Sequence, residues 1–135
     1  MFLHLLNQAQ KQCFCNVVRF IVTADGVVDE KEKRLLAMAQ RELALDELPP
    51  RITSLALLAT QLNVFDSPLA RNVLLIESVA AAMADGDIPK SEMEVLEGIC
   101  DCLKMPREKI SECTGFAKKF HDLIQEGEKL VFTEQ

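Results

Sequence analysis

Apolar residues recur every three to four positions along nearly the whole chain, and no stretch alternates apolar with polar, so the pattern is helical throughout. The first run, over about 2–24, sets Leu6, Cys13, Val17, Phe20 and Ala24 on one face, and Gly26 stands where a left-handed residue ends a helix. A second predicted helix opens on Asp29 as N-cap, with Glu32 three positions on as an Asp variant of the capping box. It runs to about residue 44 and turns Leu35, Leu36, Ala39 and Leu43 inward. Pro49-Pro50 opens a third helix that uses Ile52, Leu55, Ala59 and Leu62 and stops near Asn63.

The segment Val64-Phe65-Asp66-Ser67-Pro68 divides the chain, with Ser67 a good cap and Pro68 a good first helical residue. The fourth predicted helix, about 69–84, is apolar nearly all round, which places it in the middle of a bundle. Pro89 starts a fifth, ending near Leu103. Pro106 starts the last region, where Ile110, Cys113, Ala117, Phe120 and Ile124 fall about a turn apart. Gly115 and Gly127 weaken that region, so one helix and two are both consistent with it. The tail from Glu128 either frays or docks through Leu130, Val131 and Phe132.

A repeat organises these elements. Ala24-Asp25-Gly26 followed by Glu32 returns as Ala84-Asp85-Gly86 followed by Glu92, at one offset of 60 (85 minus 25, and 92 minus 32). At that offset Val28 aligns with Ile88, Leu35 with Val95, Leu36 with Leu96, Ala39 with Ile99 and Leu43 with Leu103. The expected fold is therefore an all-α bundle of six to seven helices. It comprises two pseudo-twofold-related helix–loop–helix–helix repeats, about 3–63 and 67–125, in a single domain over 1–135. Leu36 and Leu96 are expected to be deeply buried equivalents.

Composition narrows the function. Hydrophobic residues are 49% and charged residues 27% of 135, which is the balance of a folded globular domain. A net charge of −6 argues against nucleic acid, whose binding needs a basic stripe. No segment approaches the roughly 18 apolar residues of a membrane span. The first residues lack the basic flank and cleavage site of a secretory signal, so a cytoplasmic location is expected. Five cysteines, an odd number, fit a reducing compartment. In each of the pairs Cys13/Cys15 and Cys100/Cys102 the side chains point about 200° apart on a helix, so neither pair chelates one ion or closes a disulfide. His4 and His121 are the only histidines, and neither neighbours an acidic loop or a cysteine in sequence.

The acidic loops are the one feature that points to chemistry. Asp25 and Asp85 sit at the negative end of a helix macrodipole, a placement that costs on the order of 0.3 to 1 kcal/mol unless a partner compensates. One such partner is the loop's own backbone amides. The other is a cation held among Asp25, Glu32, Asp85, Asp87 and Glu92, with calcium or magnesium the natural guest for hard oxygen ligands. The spacing is not that of an EF-hand, because Val27-Val28 and Ile88-Pro89 occupy positions that loop would fill with ligands. Any such site uses few ligands and binds weakly unless the two loops join to make one site, and no cofactor is required.

Two copies of Ala-Asp-Gly, an aliphatic residue two places later and then Glu, in an acidic helical domain of this size, resemble the tellurite-resistance TerB-like family. The resemblance runs over about 17–120, and Pro89 departs from the usual Ser, Thr or Asp cap. It implies a compact bundle of about seven helices in a bacterial cytoplasmic stress-response protein, with modules in membrane-associated complexes and beside co-chaperone domains. It also implies metal or partner contacts at Asp25, Glu32, Asp85 and Glu92. The preferred reading is a non-enzymatic interaction module with a protein partner, without nucleic acid or direct membrane insertion. A ligand-free oligomerising scaffold, including a homodimer, or a co-chaperone-type adaptor is the alternative. A thiol-based redox enzyme has least support.

Overall fold

The structure, a computed structural model, describes residues 2–24, 26, 29–84 and 86–133, and of residues 29, 31 and 32 the backbone alone. Among the described residues there are six α-helices and no strand: α1 Gln8–Val22, α2 Asp29–Glu42, α3 Leu55–Gln61, α4 Pro68–Ala82, α5 Lys90–Cys102 and α6 Glu108–Phe132. Short 3-10 turns occupy Leu3–Leu5 and Leu62–Val64. The protein is all-α, as its periodicity predicts.

The first helix starts later than the apolar pattern implies. Leu3–Leu5 forms a separate turn, and Asn7 then caps α1 through a reciprocal pair of bonds. The Gln10 amide donates to Asn7 Oδ1 at 2.9 Å, and the Asn7 amide donates to Gln10 Oε1 at 2.9 Å. These bonds satisfy amides that the first turn would otherwise leave exposed. Ser67 caps α4 as expected, accepting from the Ala70 amide at 3.1 Å with Pro68 in the first turn.

The third helix is shorter than expected. Pro49 and Pro50 do not open it; α3 begins at Leu55 behind the Ser54 cap, and Ile52 lies outside any helix. Each proline disfavours helical geometry in the residue before it, and Ser54 supplies a better start. α1 holds this irregular segment with buried polar side chains. Arg19 Nη1 donates to the Pro49 carbonyl at 2.9 Å, and Gln10 Nε2 to the Val64 carbonyl at 3.0 Å. Asn16 Nδ2 donates to Gln61 Oε1 at 3.4 Å. Polar residues on the inner side of α1 thus bind groups that a short helix and a loop leave unpaired.

Packing explains the burial pattern. α4 contacts α1, α5 and α6, which makes it the central helix that its all-round apolarity predicts. Val17, Ile21, Leu74, Val79, Leu96 and Ile99 form the middle of a single core. α5 packs against α1, α3 and α4, and both Val95 and Leu96 are buried. The principal neighbour of α2 is α1 alone, so its buried stripe is narrower. Leu35, Ala39 and Leu43 are buried but Leu36 is only partly so. The expected equivalence of Leu36 with Leu96 therefore fails in burial.

α6 is one unbroken helix of 25 residues, through both Gly115 and Gly127. Ile110 and Ala117 are buried against the bundle, whereas Phe120 and Ile124 remain 41% and 47% exposed. Leu130, Val131 and Phe132 neither fray nor dock; they continue the helix in solvent. The α5–α6 connection is clamped by Arg107, which donates to both Asp101 oxygens at 3.1 and 2.7 Å. That fork holds the Asp101 carboxyl below its usual range.

Candidate functional site

Both acidic loops begin with the same backbone turn. α1 ends at Val22 with Thr23 as its C-cap, and the Gly26 amide donates to the Thr23 carbonyl at 3.0 Å. α4 ends at Ala82 with Met83 as its C-cap, and the Gly86 amide donates to the Met83 carbonyl at 2.9 Å. Gly26 has φ 84° and Gly86 φ 104°, and among the described residues beyond its chain neighbours neither has an atom within 4 Å of where a Cβ would stand. Backbone conformation, rather than crowding, is what calls for glycine at both positions.

The helix ends that carry these turns meet around a cavity of about 270 Å³. Val18 and Val22 of α1, Leu35 and Met38 of α2, and Ala81 and Ala82 of α4 make apolar walls. Ala84, Asp87 and Pro89 border it from the loop after α4, Glu92 from the first turn of α5, and Arg34 from α2. Glu92 is 5% exposed, at a helix N-terminus where the macrodipole favours a carboxylate. Asp87 is exposed. The cavity thus joins α1 and α2 to the helix pair that follows sixty residues later (92 minus 32), with charges of both signs over an apolar floor.

Of the five acidic residues singled out from sequence, Asp87 and Glu92 border this one cavity. Asp25, Asp85 and the side chain of Glu32 lie outside the described residues. Among the described residues no group of three or more His, Cys, Asp or Glu is placed to hold a metal ion. The pattern missed Arg34 and Met38, which stand one turn apart at the cavity. They fall outside the 35/36/39/43 face by which α2 was expected to bury itself. A helix that borders an open cavity presents a second useful face, and a search for one core-facing stripe has no term for it.

The five cysteines form no disulfide and, with one exception, are at least partly buried: Cys13, Cys15 and Cys100 are buried, Cys113 is partly exposed and Cys102 exposed. Burial pushes the Cys13 thiol up to about 11. Burial, then the neighbouring Asp101 carboxylate, pushes Cys100 up to about 11. Burial likewise raises Cys113. His121 borders a separate groove between α4 and α6, whose lining includes no cysteine for it to serve as base.

Comparison with protein-family models, with curated proteins and with solved structures finds no match to this chain. The class that the fold defines is an all-helical bundle. No helix among the described residues is long and apolar enough to cross a membrane.

Proposed function

We propose that this chain is a non-enzymatic interaction module of TerB-like type, working in the cytoplasm in a stress response. Its ligand is a basic protein partner or a divalent cation, met by the acidic loops. The observation that carries the reading is the cavity shared by the two loop-bearing helix ends, where Asp87 and Glu92 sit over apolar walls. Such a site takes an apolar side chain with a cationic neighbour, and Arg34 stands at its edge.

The duplicated architecture belongs to the same proposal. α1 and α4 share their bounds at one offset (68 minus 8, and 82 minus 22), as α2 and α5 do at their last residues (102 minus 42). The caps Asn7 and Ser67, and the two left-handed glycines, fall at that offset too. These agreements support two pseudo-twofold repeats, whose third helices have since diverged: α3 has 7 residues and α6 has 25. Against a thiol enzyme stand the raised Cys13, Cys100 and Cys113 thiols, since the nucleophile is the thiolate.

Calorimetric titration of the metal-free protein with calcium, magnesium, manganese and zinc distinguishes the two ligands. A cation gives saturable heat, whereas a basic partner is read by binding of an amphipathic lysine-containing peptide. The double variant Asp25→Asn/Asp85→Asn should stay folded, because Asn keeps the local hydrogen-bond acceptor, and should lose whichever binding the wild type shows. A wild type that binds neither ligand would leave the ligand-free scaffold as the better account.

A further inference from the structure

α6 runs parallel to α4 and then outlasts it. Near its start Lys109 Nζ donates to Asn72 Oδ1 at 2.7 Å, and two to four turns later Phe116, Phe120 and Ile124 border a groove floored by Ile76, Ala80 and Met83. α4 ends at Ala82, while α6 continues to Phe132. Its last eight residues (125 through 132) extend about 12 Å further at the helical rise.

A continuous apolar stripe follows this outer half. Phe116, Phe120, Leu123, Ile124, Leu130 and Val131 lie within one side of the helix and are 41% to 80% exposed. Phe116 stacks on Phe120 with centroids 6.5 Å apart, and Phe2 meets Phe116 at the same distance. Together they present roughly 600 Å² of apolar surface, taking ~150–250 Å² for a whole aromatic side chain. That stands at the upper end of what the largest apolar patch of a monomer reaches, where patches are often functional. Paired with an equal patch, it buries more than the ~1,000 Å² in total that a specific interface requires.

We propose that the stripe binds a second copy of this chain, as an antiparallel α6–α6 pair about a twofold axis. The stripe is its own complement in one register. With Leu123 meeting its counterpart on the axis, Phe116 falls opposite Leu130 of the second copy, and Phe120 falls opposite Glu126 in register and beside Gly127, the neighbouring residue on the facing stripe. The position of a Cβ at Gly127 has nothing within 4 Å, so there is room for a ring. Charge selects the same arrangement. At about 100° per residue, Lys119 and Glu126 share one edge of the stripe, and His121 and Glu128 the other. An antiparallel twofold brings each edge against itself reversed, setting Lys119 against Glu126 of the second copy, and His121 near Glu128. A parallel pair would instead set Glu126 against Glu128.

Sedimentation of the wild type from about 1 to 100 µM is expected to show a monomer–dimer equilibrium, with dimer dominant at the top of that range. Leu123→Glu places two like charges on the axis and should give a monomer with unchanged helical circular dichroism. Lys119→Glu and Glu126→Lys should each weaken dimerisation about tenfold or more, and the two together in one chain should restore it. The charge swaps carry the test even if Leu123→Glu disturbs folding. A wild type that is monomeric throughout would assign the stripe to a different partner and overturn the proposal. So would a dimer indifferent to Leu123→Glu in a folded chain, or a double swap without rescue.

Discussion

Ala44 and Lys104 adopt the same left-handed backbone conformation, with φ of 55° and 56°, immediately after the residues that cap α2 and α5. Each lets a following amide turn back onto its helix: Leu45 donates to the Ala39 carbonyl at 3.0 Å, and Met105 to the Cys100 carbonyl at 2.9 Å. Glycine usually occupies such a position, because a Cβ there costs roughly 1–2 kcal/mol.

Ala44→Gly is therefore expected to stabilise the fold. Relief of the left-handed strain exceeds the extra unfolded-state entropy of glycine, and the net gain is about 0.5–1 kcal/mol. Lys104→Gly should gain less, since the lysine also places a positive charge at a helix C-terminus, a contribution of about 0.3–1 kcal/mol. Denaturant melts of both variants decide this. A loss of stability in Ala44→Gly would mean that the methyl group makes contacts that outweigh the strain.

The unequal neighbourhoods of α2 and α5 set a second outcome. Leu96→Ala removes a side chain with no exposure and should cost about 2–5 kcal/mol. Leu36→Ala, at the aligned but only partly buried position, should cost less than about 1 kcal/mol. Equal losses in equilibrium unfolding would show that α2 packs more deeply than its contact with α1 provides.

That contrast marks how far the pattern of apolar positions reaches. The helical class, the central α4, its Ser67-Pro68 start and the paired glycine turns all follow from local chemistry, and all are legible. Leu36 departs from its expected burial because periodicity gives the direction of a side chain but not the number of helices that wait there. The start of α1 falls later than the pattern predicts because Asn7 and Gln10 form their capping box inside what looks like one apolar run. The buried Arg19, Gln10 and Asn16 serve carbonyls around α3 that are distant in sequence, so no window around α1 contains the reason for them. As for the site, Asp87 and Glu92 were readable as acidic loop residues. The apolar cavity beside them was not, because its walls come from three helices.

The caps offer a test of local against tertiary stabilisation. Ser67→Ala should cost about 1 kcal/mol, the usual value for a lost N-cap. Asn7→Ala should cost a similar amount, but Gln10→Ala should cost more. It breaks the reciprocal bond and also leaves the Val64 carbonyl without the donor it has at 3.0 Å. The Asn7/Gln10 double-mutant cycle should return a coupling of at least about 0.5 kcal/mol. Simple additivity in that cycle would show that the box is a geometric coincidence.

The thiols predict how stability and reactivity respond to alkali. Cys13 and Cys100 have an ordinary value of 9.0 and are raised to about 11 in the folded chain, in each case chiefly by burial. The unfolded chain therefore gives up these protons from about pH 9 upward, while the folded chain retains them until about pH 11. Stability should be fully present below pH 9 and fall as pH rises through that window. The chain has no tyrosine, so phenol ionisation contributes nothing to this fall. Urea melts at pH 8 and pH 10 should show the loss. Cys13→Ala should be less stable at pH 8 yet lose less between the two. At pH 8 a brief pulse of a thiol reagent, mapped by mass spectrometry, should label the exposed Cys102 first and Cys13 and Cys100 last. Fast labelling of Cys13 or Cys100 in the folded protein would mean a stabilised thiolate, and would revive the redox enzyme that these raised thiols argue against.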